Sequence, residues 1–139
     1  MMFTLLLAVM LAPGTGMAAA PTTPIHVHDA YSRPANDMGA VFLTIVNGGA
    51  SADAVDDARS DVANATEVHE TYDTPGGSGM RHIARLEIPA GTSVAFHTGG
   101  YHVMLIGLKR DLRAGETFTI GLHFEHAGWI DVPVEVRGF

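Results

Sequence analysis

The chain has 139 residues, 47% of them hydrophobic, with 15 acidic against 8 basic side chains and a net charge of −7. That length suits one domain, and the acidity disfavours a phosphate backbone as partner. The absence of cysteine excludes disulfides, zinc–thiolate sites, CxxC redox pairs, a thiol nucleophile and the blue-copper thiolate of an electron carrier.

Phe3 to Ala12 is almost wholly apolar, Pro13-Gly14 breaks the run, and Ala18-Ala19-Ala20 offers small residues for cleavage. This is the layout of a secretory signal peptide, and its apolar stretch is shorter than the roughly 20 residues that span a bilayer. The expectation is a leader over residues 1–20, an exported protein that does not span the membrane, and one domain over 21–139. With no cysteine at the cleavage point, a lipid anchor is not expected. Of the seven methionines only Met38, Met80 and Met104 lie beyond the leader, with all eight histidines.

Beyond the leader the hydrophobic period is two. Strands are predicted over Ile25–Tyr31, Ala40–Asn47, Thr66–Tyr72, Met80–Ile88, Thr92–His97, His102–Leu108, Thr117–Phe124 and Trp129–Val136. Gly or Pro falls in nearly every gap, as in Gly48-Gly49, Pro75-Gly76-Gly77 and Pro89-Ala90-Gly91. Ser51–Ala65 is ambiguous, with room for a short edge strand followed by a loop or helical turn. About eight or nine strands without an amphipathic helix predict an all-β Greek-key sandwich or barrel.

Chemistry concentrates in the middle of this series. His102 and Met104 stand at i and i+2 and therefore share one face of their strand, while Val103 and Leu105 face the other way. His69 lies on the Thr66–Tyr72 strand. If that strand forms a hairpin with the segment opened by Met80, His69 and Met80 lie near its connection. Thioethers are soft, neutral ligands that suit Cu(I) and serve hard cations poorly, whereas imidazole binds both copper states. Two of each would leave a cuprous site with a charge of +1, which a half-buried position tolerates better than +2. A full four-donor set leaves no open position for a substrate, which argues for carriage and against catalysis.

The spacing His69-x10-Met80-x21-His102-x-Met104 resembles the metal-binding signature of the periplasmic copper chaperones called PCuAC. The likeness extends over most of the chain beyond the leader. Asp29-Ala30-Tyr31-Ser32-Arg33-Pro34 resembles the family's opening strand and turn, and Phe42-Leu43-Thr44-Ile45-Val46-Asn47 its second strand. Val68-His69-Glu70-Thr71, Ile88-Pro89-Ala90-Gly91, Gly99-Gly100-Tyr101-His102-Val103-Met104-Leu105 and Leu112-x-x-Gly115 continue it. The resemblance implies a cupredoxin-like sandwich with His69, Met80, His102 and Met104 as Cu(I) ligands. It also implies the CuA-bearing subunit of cytochrome c oxidase as copper acceptor, at the periplasm or the outer face of the cytoplasmic membrane. Ser78 stands where many members have a second methionine, and the His- and Met-rich tail of many members has no counterpart before Phe139.

Other residues read more plainly. His26 and His28 are expected to be an exposed strand-end pair, and His123 and His126 surface or loop residues. His97 is expected to be ordinary and Met38 a packing residue. His82 shares the Met80 face and is a candidate supporting or substitute ligand. Trp129, Phe118, Phe124 and Ile130 are predicted core. Asp53, Asp56, Asp57 and Asp61 lack EF-hand spacing and are expected in a solvated loop. No GxSxG, HExxH or phosphate-binding loop points to an enzyme. Two further readings stay open: a copper-sequestering protein with no dedicated acceptor, and a secreted interaction module whose histidines are incidental. A chaperone without cysteine would need a separate thiol reductant, or a second copper chaperone, to prepare a CuA site.

Overall fold

The computed structural model describes residues 23–138, so the leader expected over residues 1–20 lies outside the described residues. Ten strands follow in order: β1 Ile25–Ser32, β2 Gly39–Asn47, β3 Asp53–Arg59, β4 Ala63–Thr74, β5 Gly77–His82, β6 Leu86–Ile88, β7 Ser93–Ala95, β8 Tyr101–Leu108, β9 Thr117–Phe124 and β10 Gly128–Val136. Among the described residues there is no helix. The all-β expectation holds, with more strands than predicted.

Hydrogen bonding runs in one path, β5-β4-β8-β2-β1-β10-β9-β3-β6, with β7 on β2. All pairings are antiparallel except β1 with β10. The path folds over, so that alternate residues of its first half (Val41, Leu43, Val103, Leu105) share one buried cluster with those of its second (Ile120, Val134). Strand alternation explains the partition. On β10, Val132, Val134 and Val136 are buried while Trp129, Asp131, Pro133 and Glu135 are exposed. At the end of β2 the fully buried Asn47 amide donates to the carbonyls of Ser51 and Ile88, both at 3.0 Å. It thereby satisfies backbone acceptors where the chain passes towards β3 and β6.

One irregularity on β1 shapes the neighbourhood of the histidines. Between the pairs His28↔Thr44 and Tyr31↔Phe42 the first strand carries one residue more than the second. Asp29 takes up the extra residue at φ 56°, a left-handed conformation that Asp tolerates better than most side chains. Without this bulge Tyr31 would point into the core. With it, Ser32 takes the buried side and Tyr31 packs on Phe42, ring centroids 5.6 Å apart.

Five expectations are corrected. The Met80–Ile88 segment is two strands, because the chain leaves the β4 edge after His82 and reaches the β3 edge at Leu86. The ambiguous segment holds β3, which is no edge strand: it lies between β9 and β6. Its Asp-rich composition misleads because Asp53 is buried, its carboxylate accepting from the backbone N–H groups of Ala54, His126 and Ala127 at 2.8, 2.9 and 3.0 Å. Trp129 is 39% exposed, on the outer face with the Arg59 guanidinium 4.0 Å from its ring centre, and Met38 is 49% exposed and so no packing residue.

Candidate metal centre

Register places the four predicted donors on a single sheet face. On β4 and β8, Glu67 opposes Met104 and His69 opposes His102. On β4 and β5, His69 opposes His82 and Thr71 opposes Met80. Directly opposed residues in an antiparallel sheet, and residues two apart on one strand, point the same way. Met80 and His82 from β5, Glu67 and His69 from β4, and His102 and Met104 from β8 therefore share the outer face. Their neighbours Val68, Val103 and Leu105 point the other way, into the core.

The site is graded in exposure. His102 and Met104 are buried, His69 keeps 16% of its side chain accessible, and Met80 is 56% exposed. His69 is 5.9 Å from His102 and 5.8 Å from His82, ring centre to ring centre. Phe42 flanks the far side of His102 at 6.4 Å, so the apolar wall set up by the β1 bulge closes the inner end.

The hydrogen bonds decide which nitrogens carry lone pairs. His69 Nε2 lies 2.8 Å from a Glu67 carboxylate oxygen, which accepts, so Nε2 holds the proton and Nδ1 the lone pair. His102 Nδ1 donates a long bond, 3.4 Å, to the Gly100 carbonyl, leaving the lone pair on Nε2. His69 Nδ1 and His102 Nε2 are both buried and have no hydrogen-bond partner. Buried polar atoms rarely go unpaired. Two lone-pair nitrogens left so, each on a ring oriented through its other N–H, have the arrangement of metal-ligating histidines. Burial, reinforced by the nearby His69 and only partly offset by the Gly100 bond, lowers the pKa of His102, which keeps its lone pair free at neutral pH.

The hairpin that carries Met80 is braced on the opposite face. Tyr72 opposes Gly79, and a Cβ at Gly79 would fall 2.8 Å from the Tyr72 ring, so only glycine lets that ring lie across the strand. Arg81 binds Glu70 through Nε and a terminal nitrogen, at 3.1 and 2.9 Å, and lies 5.0 Å from the Tyr72 ring centre. Among the described residues no three His, Cys, Asp or Glu side chains are placed to hold a metal ion. A site built of such donors alone is not assembled here, and the acidic β3 residues do not make one.

Residues 25–136 match the family described as "Putative lipoprotein LpqE-like". A protein of Leifsonia xyli subsp. xyli, likewise described as a lipoprotein, is 32% identical over 117 residues, covering 83% of this chain and 70% of its own length. The chain belongs to the LpqE-like family. Among solved structures, its fold is similar to the apo PCuAC domain of PmoF1, with a TM-score of 0.71 at 17% identity over 84% of this chain and 95% of that one. The apo and CuI solution structures of DR1885 from Deinococcus radiodurans are each 27% identical, with TM-scores of 0.65. They cover 100% and 88% of this chain, and 95% and 83% of those chains. The cupredoxin-like PCuAC fold and the resemblance drawn from the spacing are thereby borne out. The lipoprotein designation is consistent with export, although none of the 139 residues of this LpqE-like chain is cysteine.

Sequence reasoning passed over Glu67. Its signal was available in Glu67-x-His69, a carboxylate two residues from a candidate ligand and on the same strand face. The other histidines behave as surface residues. His26 and His28 are exposed, His97 bonds the adjacent Thr98 carbonyl at 3.1 Å, and His123 pairs with Asp56 and packs edge-on against Trp129.

Proposed function

We propose that this protein is an exported Cu(I) carrier that binds one cuprous ion through His69, Met80, His102 and Met104 and hands it to a CuA-type acceptor. The observation that carries the reading is the pair of buried, unpartnered lone-pair nitrogens, His69 Nδ1 and His102 Nε2, on the same face as the buried Met104. Two imidazoles and two thioethers favour the monovalent ion. The Glu67 carboxylate behind His69 balances its charge, so the loaded site is neutral overall. Met80, exposed in this structure and opposite Thr71 on the strand beyond β4, completes the set when the β5 edge shifts towards β8 on copper binding. The copper named for DR1885 and for the PCuAC domain of PmoF2 supports this choice of metal.

Transfer follows from the same donors. A thiolate outcompetes a thioether for Cu(I), so exchange onto an acceptor's cysteines runs downhill, one ligand at a time. The net charge of −7 steers the carrier towards a basic acceptor surface, an effect that fades with salt. Four occupied positions leave none for a substrate, so the role is carriage and not catalysis. The leader over residues 1–20 would place the mature domain in the periplasm or at the outer face of the cytoplasmic membrane, where a separate thiol reductant keeps acceptor cysteines reduced.

Anaerobic titration of Cu(I) against a chromogenic chelator is the test. One equivalent should be held by the wild type and lost in His69→Ala and in the pair Met80→Leu/Met104→Leu. Equal competition by all three would end the proposal. Mixing the loaded carrier with an apo CuA domain then separates carriage from sequestration, since a sequestering protein would leave the acceptor empty.

A further inference from the structure

We propose that His82 and Met80 form an outer copper station which shares His69 with the inner pair His102 and Met104 and through which the ion enters and leaves. The inference rests on reading this face as a Cu(I) site and adds a ligand that the four-donor set does not contain.

The evidence is the symmetry of the three strands. β8 carries His102 and Met104 two residues apart, and β5 carries Met80 and His82 two residues apart, both pairs on the face of His69. Each flanking histidine opposes His69 in register, and the two ring separations are nearly the same, 5.8 and 5.9 Å. With metal–nitrogen bonds near 2 Å, two imidazoles on one ion have ring centres roughly 5–6 Å apart, so either neighbour can share an ion with His69. His82 and His102 lie two strands apart, about 10 Å, and cannot both do so. His69 has one lone pair, the other nitrogen being held by Glu67. The stations therefore serve one ion in turn, with His69 as pivot.

Exposure gives the stations their order. The inner pair is buried, whereas Met80 is 56% exposed and His82 is exposed on the terminal strand of the sheet. No hydrogen bond or ion pair with another described residue engages the His82 ring, so no such contact must break before it binds. In the outward step the bonds from copper to His102 Nε2 and Met104 Sδ break as one to His82 forms. Met80 stays bound as β5 moves back outward to the position it holds in this structure, and copper remains Cu(I) with no electron transferred. The ion is then held by His69, Met80 and His82 at the surface, with one side open to an acceptor's thiolate or imidazole.

The test uses Cu(I) alone, under nitrogen, with the full chain. His82→Ala alters an exposed side chain and should leave equilibrium affinity within about threefold of wild type, while slowing extraction of copper by bicinchoninate by about tenfold or more. In His102→Ala/Met104→Leu, whose fold is checked by circular dichroism, one Cu(I) should still bind, and adding His82→Ala should weaken it a further tenfold or more. Extraction unchanged by His82→Ala would overturn the outer station, as would a His82 imidazole nitrogen resonance that does not move when Cu(I) is titrated into His102→Ala/Met104→Leu. If the wild type itself holds no Cu(I), the functional reading falls too; if it binds copper and His82 has no effect, only the outer station falls.

Discussion

Removing the Glu67 carboxylate tests whether the orientation of His69, and not merely its presence, makes the site. Two effects are lost in Glu67→Ala. The first is the 2.8 Å bond that holds the proton on Nε2 and turns Nδ1 to the site. Losing such a partner costs 10–100-fold in metal affinity, and the 36% exposure of the Glu67 side chain places this case near tenfold, about 1.4 kcal/mol. The second is the attraction between the carboxylate and the ion across the ring. At roughly 7 Å and an effective dielectric of about 60 it is worth about 0.8 kcal/mol. Together they predict a loss of about 2 kcal/mol, or roughly thirtyfold in Cu(I) affinity. Glu67→Gln keeps an acceptor and removes the charge, so it should lose only about fourfold, and that loss should vanish in 1 M salt. Competition against a chromogenic chelator, at low and high salt, reads both numbers. Equal losses in the two variants would show that the hydrogen bond orients nothing, and no loss in either would remove Glu67 from the site.

Asp53 supplies a stability prediction with a definite pH window. Burial pushes its pKa up, but the N–H groups of His126, Ala54 and Ala127 outweigh that and hold it below the ordinary value. A depressed folded pKa contributes stability above the unfolded value, near 3.9, that is lost as pH falls through the folded one. Asp53→Asn should therefore be destabilised by about 2 kcal/mol at pH 7, and its gap to wild type in urea denaturation should narrow below about pH 4; a constant gap would refute the assignment. Phe124, fully buried on β9, should cost about 3–5 kcal/mol on Phe124→Ala, with the Cu(I) affinity of the folded protein unchanged because β9 lies in the second half of the path; a large fall in affinity would contradict that separation.

Much of this was legible in the chain. Alternation places most strands within a residue or two of their observed bounds, and the i, i+2 spacing of His102 and Met104 puts them on one face, as the register shows. The Pro75-Gly76 turn signalled the hairpin that places Met80 opposite Thr71, on the face of His69. Among the features that escaped, three show why. The β1 bulge needs an extra residue at Asp29, and nothing local announces it, because the register is set by β2. The Asp-rich β3 looked solvated because its buried carboxylate answers to backbone N–H groups more than seventy positions away. Trp129 looked like core by composition, but the parity of β10 puts it outside with Asp131 and Glu135. The first two concern partners distant in sequence, where local pattern carries no information; the third was there to read in the alternation of Val132, Val134 and Val136.

If the four proposed donors hold copper, their place on the sandwich also decides what the protein can do with the ion. Had they pointed between the layers, among side chains of 0–2% exposure, release would require opening the core. That costs a large part of the 5–15 kcal/mol of a typical domain, and even the lower figure slows release by about 10⁴-fold. On the outer face the core stays closed. Only β5, hydrogen-bonded on one side and ending the sheet, has to move, and its hairpin is braced by Tyr72, Gly79, Arg81 and Glu70 on the side away from the donors. That bracing lets the strand shift as a unit, carrying Met80 and His82 together. Weakening it with Arg81→Ala should therefore loosen the exposed donors while leaving His102 and Met104 undisturbed, a separation that nitrogen shifts of His82 and His102 in the copper-free protein would reveal. Equal shifts at both rings would mean that the inner and outer pairs move as one body.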